Sequence, residues 1–219
     1  MPTLVLRSTL ATMARSARLE STTPNSNYND IDKAVVAVRL TTALTTIRSI
    51  ASFDLSALPS NARIDLATLS LFYYTRTGGG IDVTGRTVAV HRVSGSFTAE
   101  EVTWNRRSTA TPWTTPGGDF TVAKATFALP AIESFITLNV FDIFLADGFV
   151  DFFLKWDNES DSRLDDVELQ FEIGASPNIA GSGATLALVY SVPAPRSIDP
   201  GIKPAPVREL APARTLTLV

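Results

Sequence analysis

The sequence contains no cysteine and a single histidine. Without cysteine the chain cannot form a disulfide framework, a thiolate zinc site or a cysteine nucleophile. The one histidine, His91, cannot by itself build the metal cluster or proton relay that histidine chemistry normally needs. Its place in the apolar run Ala89–Val93 predicts a half-buried strand residue instead. We therefore expect no catalytic residue, no metal site and no cofactor.

The chain also has only a small excess of negative over positive charge, and it has no long apolar run. The formal net charge is −3 and the isoelectric point is near 5.2. Such a chain has no basic field to attract nucleic acid or anionic lipid, so neither nucleic acid nor a membrane is an expected partner. No stretch is long and apolar enough to span a bilayer. Three arginines interrupt Met1–Glu20, which predicts that the chain carries no secretion signal.

Hydrophobic residues are plentiful, at 45% of the chain with 12 Phe, which is enough to build a core. Short runs of Val, Ile, Thr, Leu and aromatic residues alternate with turn residues. This pattern predicts an all-β fold, an antiparallel β-sandwich of the jelly-roll-like kind. We expect strands at Thr3–Ser8, Ala34–Leu40, Ile47–Phe53, Arg63–Tyr74, Thr87–Val93, Phe149–Trp156, Asp165–Glu172 and Ala184–Tyr190.

Two segments depart from the β pattern. Between Pro130 and Gly148 the apolar residues fall near helical spacing, which predicts one short helix. From Ser191 onward six of the last 29 residues are proline, which excludes a continuation of the sheet or of a helix and favours an extended path. Only the final segment, Thr215–Val219, alternates again like a strand. The predicted organisation is one sandwich domain over residues 1–190, whose first 26 residues form a strand and loop arm, and an extended tail over 191–219.

Several motifs follow one another in the chain, mostly in its first half. They read Asn27-Tyr28-Asn29, Phe53-Asp54-Leu55-Ser56-Ala57-Leu58-Pro59, Val90-His91-Arg92-Val93, Glu101-Val102-Thr103-Trp104-Asn105 and Leu186-Ala187-Leu188-Val189-Tyr190. In these motifs and their order the chain resembles the DNRLRE-type domain, a β-sandwich module also classed among carbohydrate-binding modules. The resemblance implies a jelly-roll-like fold and a carbohydrate-binding function.

The residues within the motifs favour structural roles. Asp54 and Ser56 can form hydrogen bonds with nearby backbone groups and so shape a turn. Trp104, a lone tryptophan amid strand residues, is expected to fill the core. The acidic run Asp157–Asp166 lacks the spacing of an EF-hand loop, so a solvated loop is favoured over a calcium site there.

Aromatic residues are the candidate ligand-binding groups. Trp113 lies in a segment rich in proline and glycine, where it can either stack on a sugar or pack under its own loop. With Tyr73 and Tyr74 it forms the candidate glycan platform, because aromatic rings present broad apolar faces.

The sequence predicts a structural protein. Relatives in the resembled family are usually exported, whereas this chain has no expected secretion signal and reads as one stand-alone module. We expect a virion component on the surface of a bacteriophage particle, such as a head-decoration, head-fibre or tail-associated protein, that assembles with other virion proteins or with copies of itself. A carbohydrate-binding module or adhesin for a polysaccharide is the alternative, and a polysaccharide-active enzyme is less favoured. The candidate contact residues are Leu4, Leu6, Pro193, Pro195, Leu216 and Leu218.

Overall fold

The computed structural model describes residues 2–7, 15–29, 33–40, 44–77, 82–143, 149–160, 167–172 and 183–193. Strands dominate these residues, and the all-β antiparallel prediction is confirmed. The elements, in chain order, are β1 (Thr3–Arg7), β2 (Arg15–Glu20), β3 (Lys33–Leu40), β4 (Leu44–Asp54), β5 (Arg63–Thr77), β6 (Thr87–Val93), β7 (Arg106–Ser108), β8 (Thr111–Pro112), β9 (Phe120–Ala128), β10 (Ser134–Asn139), a 3₁₀ turn (Phe141–Ile143), β11 (Phe149–Trp156), β12 (Val167–Glu172) and β13 (Thr185–Ser191).

The helix predicted between Pro130 and Gly148 is wrong. Ser134–Asn139 is strand β10, and only a single 3₁₀ turn follows it among the described residues. Ile136 and Leu138 are buried while their neighbours in the strand are more exposed, which is the two-residue period of a strand. The spacing of the apolar residues fits both the helical and the strand period, and hydrogen bonding to β5 selects the strand.

Two long strands shape the sheet. The strand order is β1-β13-β5-β12-β3-β4-β11-β6-β9, with β10 also paired to β5 and β2 also paired to β4. Along its length β5 pairs first with β13 and then with β12, and β4 pairs first with β3 and then with β11. Because each long strand changes partner, one continuous hydrogen-bonded sheet supplies both layers of the sandwich.

The main core lies between these layers. Inward side chains of β5, β10 and β13 pack in one cluster with those of β4, β6 and β11. Along β5 the buried residues are Ala67, Leu69, Leu71 and Tyr73, at every second position. The largest fully buried side chains of this cluster are Trp156, Phe53, Phe152 and Phe171. Burial of this apolar surface is the main source of stability in such a fold.

A second core lies on the other face of β4 and β11. Every residue of β4 from Ser49 to Phe53 is buried, because both faces of the strand are covered. Ile50 and Phe153 point away from the main core and meet residues 94–120, which we call the cover segment. The resulting cover core contains Ala17, Leu19, Ile50, Val93, Phe97, Ala99, Val102, Trp113 and Phe153. The described residues thus form three layers.

Both ends of the described chain join the sheet. The N-terminal arm supplies two strands, β1 beside β13 and β2 beside β4. The strand predicted at Thr3–Ser8 is therefore confirmed, whereas β2 was not predicted. The backbone N–H of Tyr190 donates to the carbonyl of Pro2 at 3.2 Å, so β13 ends beside the chain start. Residues 194–219, most of the predicted tail, lie outside the described residues.

Candidate functional site

Residues from separate motifs meet beneath the cover segment. The side-chain amide of Asn27 donates to the carbonyls of Ala99 and Val102, both at 2.7 Å. The indole N–H of Trp113 donates to the carbonyl of Thr103 at 2.9 Å. These bonds satisfy backbone carbonyls of an irregular segment that has few strand partners. The Asn27 side chain therefore acts as a clasp that ties the cover segment to the loop after β2, while the Trp113 bond joins two parts of the cover segment itself.

The motif that begins at Phe53 forms the predicted turn. The carboxylate of Asp54 accepts a hydrogen bond from the backbone N–H of Ser56 at 2.7 Å. The N–H of Leu58 donates to the carbonyl of Leu55, whose side chain is buried in the main core. The turn is a structural device that ends β4, as expected for an Asp-initiated turn.

A cleft of about 580 Å³ opens between the cover segment and the sheet. One wall is the loop that follows β8, and the other is formed by side chains of β4, β7 and β9. The groups that line it include two guanidinium groups, one carboxylate, two hydroxyl groups and one aromatic ring. They belong to Arg48, Arg107, Asp119, Thr114, Thr115 and Phe120.

Arg48 is fixed in place. Its guanidinium donates to both carboxylate oxygens of Glu159, at 2.8 and 2.7 Å, and to the carbonyl of Gly117 at 2.7 Å. It also lies 5.0 Å from the ring of Trp104. A bidentate, partly buried pair of this kind is more rigid than an exposed ion pair. Trp104 packs against the cover core but is only partly buried, so its predicted core role is confirmed in part.

Two glycines give the cleft loop its shape. Gly117 and Gly118 have φ values of +92° and +108°, a region that favours glycine. A Cβ at Gly117 would lie 2.7 Å from the ring of Trp104, and a Cβ at Gly118 would collide with the ring of Phe153. The loop can therefore lie close against the sheet only because both side chains are absent.

Asp119 organises the same loop. Its carboxylate accepts hydrogen bonds from the backbone N–H groups of Thr114 at 2.8 Å and Thr115 at 2.9 Å. Burial raises the pKa of Asp119, but these bonds, the Thr114 hydroxyl and the charge of Arg107 outweigh it, so the pKa lies below its usual value. The carboxylate is therefore charged at neutral pH.

Arg107 is the available cation of the cleft. Among the described residues its guanidinium makes no hydrogen bond and no ion pair. Its positive charge contributes to the lowered pKa of Asp119. The guanidinium lies against Gly95, where a Cβ would collide with it. Its donors are therefore not used by any other described side chain.

Phe120 is held from several sides. Its ring centroid lies 4.7 Å from that of His91 and 5.5 Å from that of Phe153. The Lys155 ammonium lies 5.8 Å from the ring. His91 is itself buried in β6, with Nδ1 3.0 Å from the carbonyl oxygen of Thr121. The predicted strand position of His91 is confirmed, and its side chain packs behind the cleft wall.

The predicted glycan platform does not form. Trp113 is only 4% exposed and packs against Phe153, so it presents no open ring face to a sugar. The packed alternative for this tryptophan is the one observed. Tyr73 is also 4% exposed, in the main core beside Phe171. Trp113 is enclosed because the cover segment packs it onto Phe153 of β11, and Tyr73 is enclosed because it points from β5 into the main core. The side chain of Tyr74 lies outside the described part of the structure.

The predicted contact residues of the first strand are used within the chain itself. Leu6 is buried in the main core, and Leu4 is partly buried against it. The inward side of β1 is therefore not available to a neighbouring chain, which corrects the prediction for Leu6. Pro193 is exposed. The other three, Pro195, Leu216 and Leu218, lie outside the described residues.

Metal ligands do not gather in the described part of the chain. There, no group of three or more His, Asp or Glu side chains is placed to hold an ion. Within the acidic run, Glu159 contacts Arg48 and lies 3.7 Å from the ammonium of Lys155, while residues 161–166 lie outside the description. Among the described residues no helix has the length and hydrophobicity to cross a membrane.

Comparison with protein families gives a match to part of the chain. The model of the Disaggregatase related repeat domain matches residues 16–133, just over half of the chain. The chain belongs to this family. The matched segment begins in β2, ends just before β10, and contains every residue that lines the cleft, whereas Glu159, the partner of Arg48, lies outside it. The DNRLRE-type domain that the motifs resemble is not the family whose model matches. No curated protein matches the chain.

Proposed function

We propose that this chain is a non-catalytic module that binds a carbohydrate in the cleft. The observation that carries the proposal is that Arg107, which has no side-chain partner among the described residues, lines the same cleft as Phe120, Thr114 and Thr115. Sugar hydroxyls both donate and accept hydrogen bonds, and sugar rings present apolar C–H faces. A concave site that combines a few fixed polar groups with an aromatic wall suits such a ligand.

The rigidity of the cleft supports the same function. Arg48 and Glu159 brace one side, and Asp119 with the two glycines braces the loop. A site formed before the ligand arrives loses less conformational entropy on binding. The family is described as a repeat domain, a term used for modules present in several copies, and this supports a binding or building function over a catalytic one.

The test is affinity electrophoresis against a panel of neutral and acidic soluble polysaccharides. At least one polysaccharide should slow the wild-type chain. Arg107→Gln should weaken that binding about tenfold or more, because hydrogen bonds from a charged donor contribute about 1.5–3 kcal/mol. Arg63→Gln is the matched control, since Arg63 is an exposed arginine at the start of β5, outside the cleft. Wild-type migration unchanged by every polysaccharide would contradict the proposal, as would equal binding by the two variants.

A second candidate function is structural. The chain would be a component of a virion, such as a bacteriophage head-decoration, head-fibre or tail-associated protein. The observation in favour is the position of β1, which pairs only with β13 among the described strands and so presents one free backbone edge. Such edges accept added strands from other chains. Thr215–Val219, with its alternating threonine and leucine residues, is the proposed added strand.

Light scattering separates this candidate from the first. Full-length protein is compared with a variant that ends at Pro193, and both are tested for binding to purified particles where these exist. Association or particle binding by the full-length protein alone supports the structural function, because only the tail differs. If both forms are monomers and neither binds particles, the structural function is rejected and carbohydrate binding is the remaining proposal.

A further inference from the structure

The charged groups at the cleft do not cancel. In the described part of the chain, three cationic side chains and two carboxylates line the cleft or contact a side chain that lines it. The cations are Arg48, Arg107 and Lys155, and the carboxylates are Asp119 and Glu159. The cleft therefore has an excess of positive charge on a chain whose net charge is −3. A local field opposite in sign to that of the whole molecule favours an anionic ligand at this place.

Arg107 is the cation of this group that has no acceptor in contact among the described residues. Glu159 serves the other two, since its carboxylate accepts two hydrogen bonds from Arg48 and lies 3.7 Å from the Lys155 ammonium. Both oxygens of Asp119 accept backbone N–H groups of the cleft loop, and no hydrogen bond or ion pair joins this carboxylate to Arg107. An anion in the cleft would supply the acceptor that the Arg107 guanidinium lacks.

The position of Arg107 is restricted before any ligand binds. The residue lies on β7, where its carbonyl accepts the backbone N–H of Thr98 at 3.0 Å. Its guanidinium fills the space beside Gly95, whose φ is +115° and where a Cβ would collide with the Nη1 atom. The side chain is half-buried. A confined arginine loses less side-chain entropy on binding than a fully exposed one, and its planar fork matches the two oxygens of a carboxylate.

The carboxylate of Asp119 limits which kind of anion suits the cleft. It is charged at neutral pH, and each of its oxygens accepts one backbone N–H, which leaves further acceptor capacity. A ligand with closely spaced phosphate or sulfate groups would be repelled by this carboxylate. A ligand with one carboxylate among several hydroxyl groups would instead offer an anion to Arg107 and hydroxyl donors to Asp119. A uronic acid residue combines these groups on one sugar ring.

We propose that the cleft binds a uronic acid residue of an acidic polysaccharide, with the sugar carboxylate on the guanidinium of Arg107. The proposal rests on the carbohydrate-binding function above and names the class of sugar. The sugar hydroxyls donate to Asp119 and exchange hydrogen bonds with Thr114 and Thr115, and Phe120 provides an apolar wall for the C–H face of the ring. The volume of the cleft, about 580 Å³, lies within the range of small-molecule sites.

Isothermal titration calorimetry with matched oligosaccharides tests the proposal. The probes are short oligomers of galacturonate, glucuronate and mannuronate, each as the free acid and as the methyl ester, which removes the charge and keeps the sugar ring. Wild-type protein should bind at least one free acid about tenfold or more tighter than its ester, because hydrogen bonds between two charged groups are the stronger ones. This preference should weaken as NaCl is raised from about 20 to about 200 mM, because salt screens the attraction.

Variants at one position assign the preference to its residue. Arg107→Gln should bind the acid and the ester with equal affinity. Arg107→Lys, which keeps the charge but not the planar fork, should retain part of the preference. Arg63→Gln is the matched control, because Arg63 is exposed on β5 outside the cleft, and it should behave like wild type. Thermal melting shows whether each variant is folded.

Three results would overturn the proposal while leaving the carbohydrate-binding function in place. The first is binding of a sugar by the wild type with equal affinity for acid and ester. The second is a preference for the acid that persists in folded Arg107→Gln. The third is equally tight binding of poly-L-glutamate or inorganic phosphate, which would indicate a general anion site. Absence of binding to every sugar, charged or neutral, would contradict both the carbohydrate-binding function and the proposal that rests on it.

Discussion

The main core and the cover core are built on opposite faces of the same strands, yet different forces hold them. The main core consists of apolar side chains from regular strands, with Phe53, Phe152 and Trp156 fully buried. The cover core is closed by an irregular segment that depends on a few specific groups, among them Asn27 and Gly118. Stability should therefore come mainly from the first core, and the geometry of the cleft from the second.

The largest effect is expected in the main core. Phe53→Ala should lower the free energy of unfolding by about 3–5 kcal/mol, because it removes a fully buried ring that stacks on Phe152 and leaves a cavity. Urea unfolding measures the change. Phe135→Ala, at an exposed position, should cost less than about 1 kcal/mol. Equal losses for the two variants would break the comparison, since they would show that burial between the layers is not what stabilises the chain.

Gly118→Ala sharpens the comparison at the boundary between the two cores. The new Cβ would collide with the Phe153 ring, and alanine would have to adopt the positive φ that glycine has at this position. We expect the free energy of unfolding to fall by about 2–4 kcal/mol. The control is Gly85→Ala, where φ is +78° but nothing lies within 4 Å of the Cβ, and the expected cost is about 1 kcal/mol. If thermal melting gives the same loss for both, backbone strain alone matters and close packing of the loop does not.

Asn27→Ala tests the clasp. The change frees the carbonyls of Ala99 and Val102 and should cost about 1–2 kcal/mol. Hydrogen exchange should accelerate at the backbone amides of residues 97–105 while the strands of the main core stay protected. Asn158→Ala, which removes a single turn bond to Ser160, serves as control. Faster exchange throughout the sheet would show that the two cores do not open separately.

The smallest effect concerns Asp119 and pH. Because its pKa in the folded chain lies below the usual 3.8, the charged carboxylate stabilises the fold above that value, and the contribution disappears as pH falls through the folded pKa. Asp119→Asn should cost up to about 1 kcal/mol at pH 7. The difference from wild type should shrink below about pH 4. Urea titrations at several pH values measure it, and a difference that grows on acidification would reverse the assigned sign.

Much of the fold could be predicted from periodicity. The strands at Thr87–Val93 and Phe149–Trp156 have the predicted bounds, and the turn at Asp54 forms as expected. Local patterns suffice there because alternation and turn chemistry act over a few residues. Strands β2 and β9 were missed, and each depends on pairing with a strand about 30 residues away in the chain.

The cleft could not be predicted in the same way. Arg48, Arg107, Asp119 and Glu159 carried no recognisable motif. The one local signal was the run Thr114-Thr115-Pro116-Gly117-Gly118-Asp119, whose residue types favour a tight turn closed by an aspartate. Arg48 and Glu159 are separated by 111 residues, and their contact exists only because the sheet brings β4 near the end of β11.

The sequence alone determined the all-β class, the positions of most strands and the turn at Asp54, because these depend on side-chain periodicity and local hydrogen bonding. Tertiary structure decided which aromatic rings are buried. Trp113 and Tyr73, which local sequence left free to be exposed, are enclosed by the layers that pack on them, while Phe120 lines the cleft. Burial depends on what the rest of the chain places opposite a residue, and that is set by long-range strand pairing.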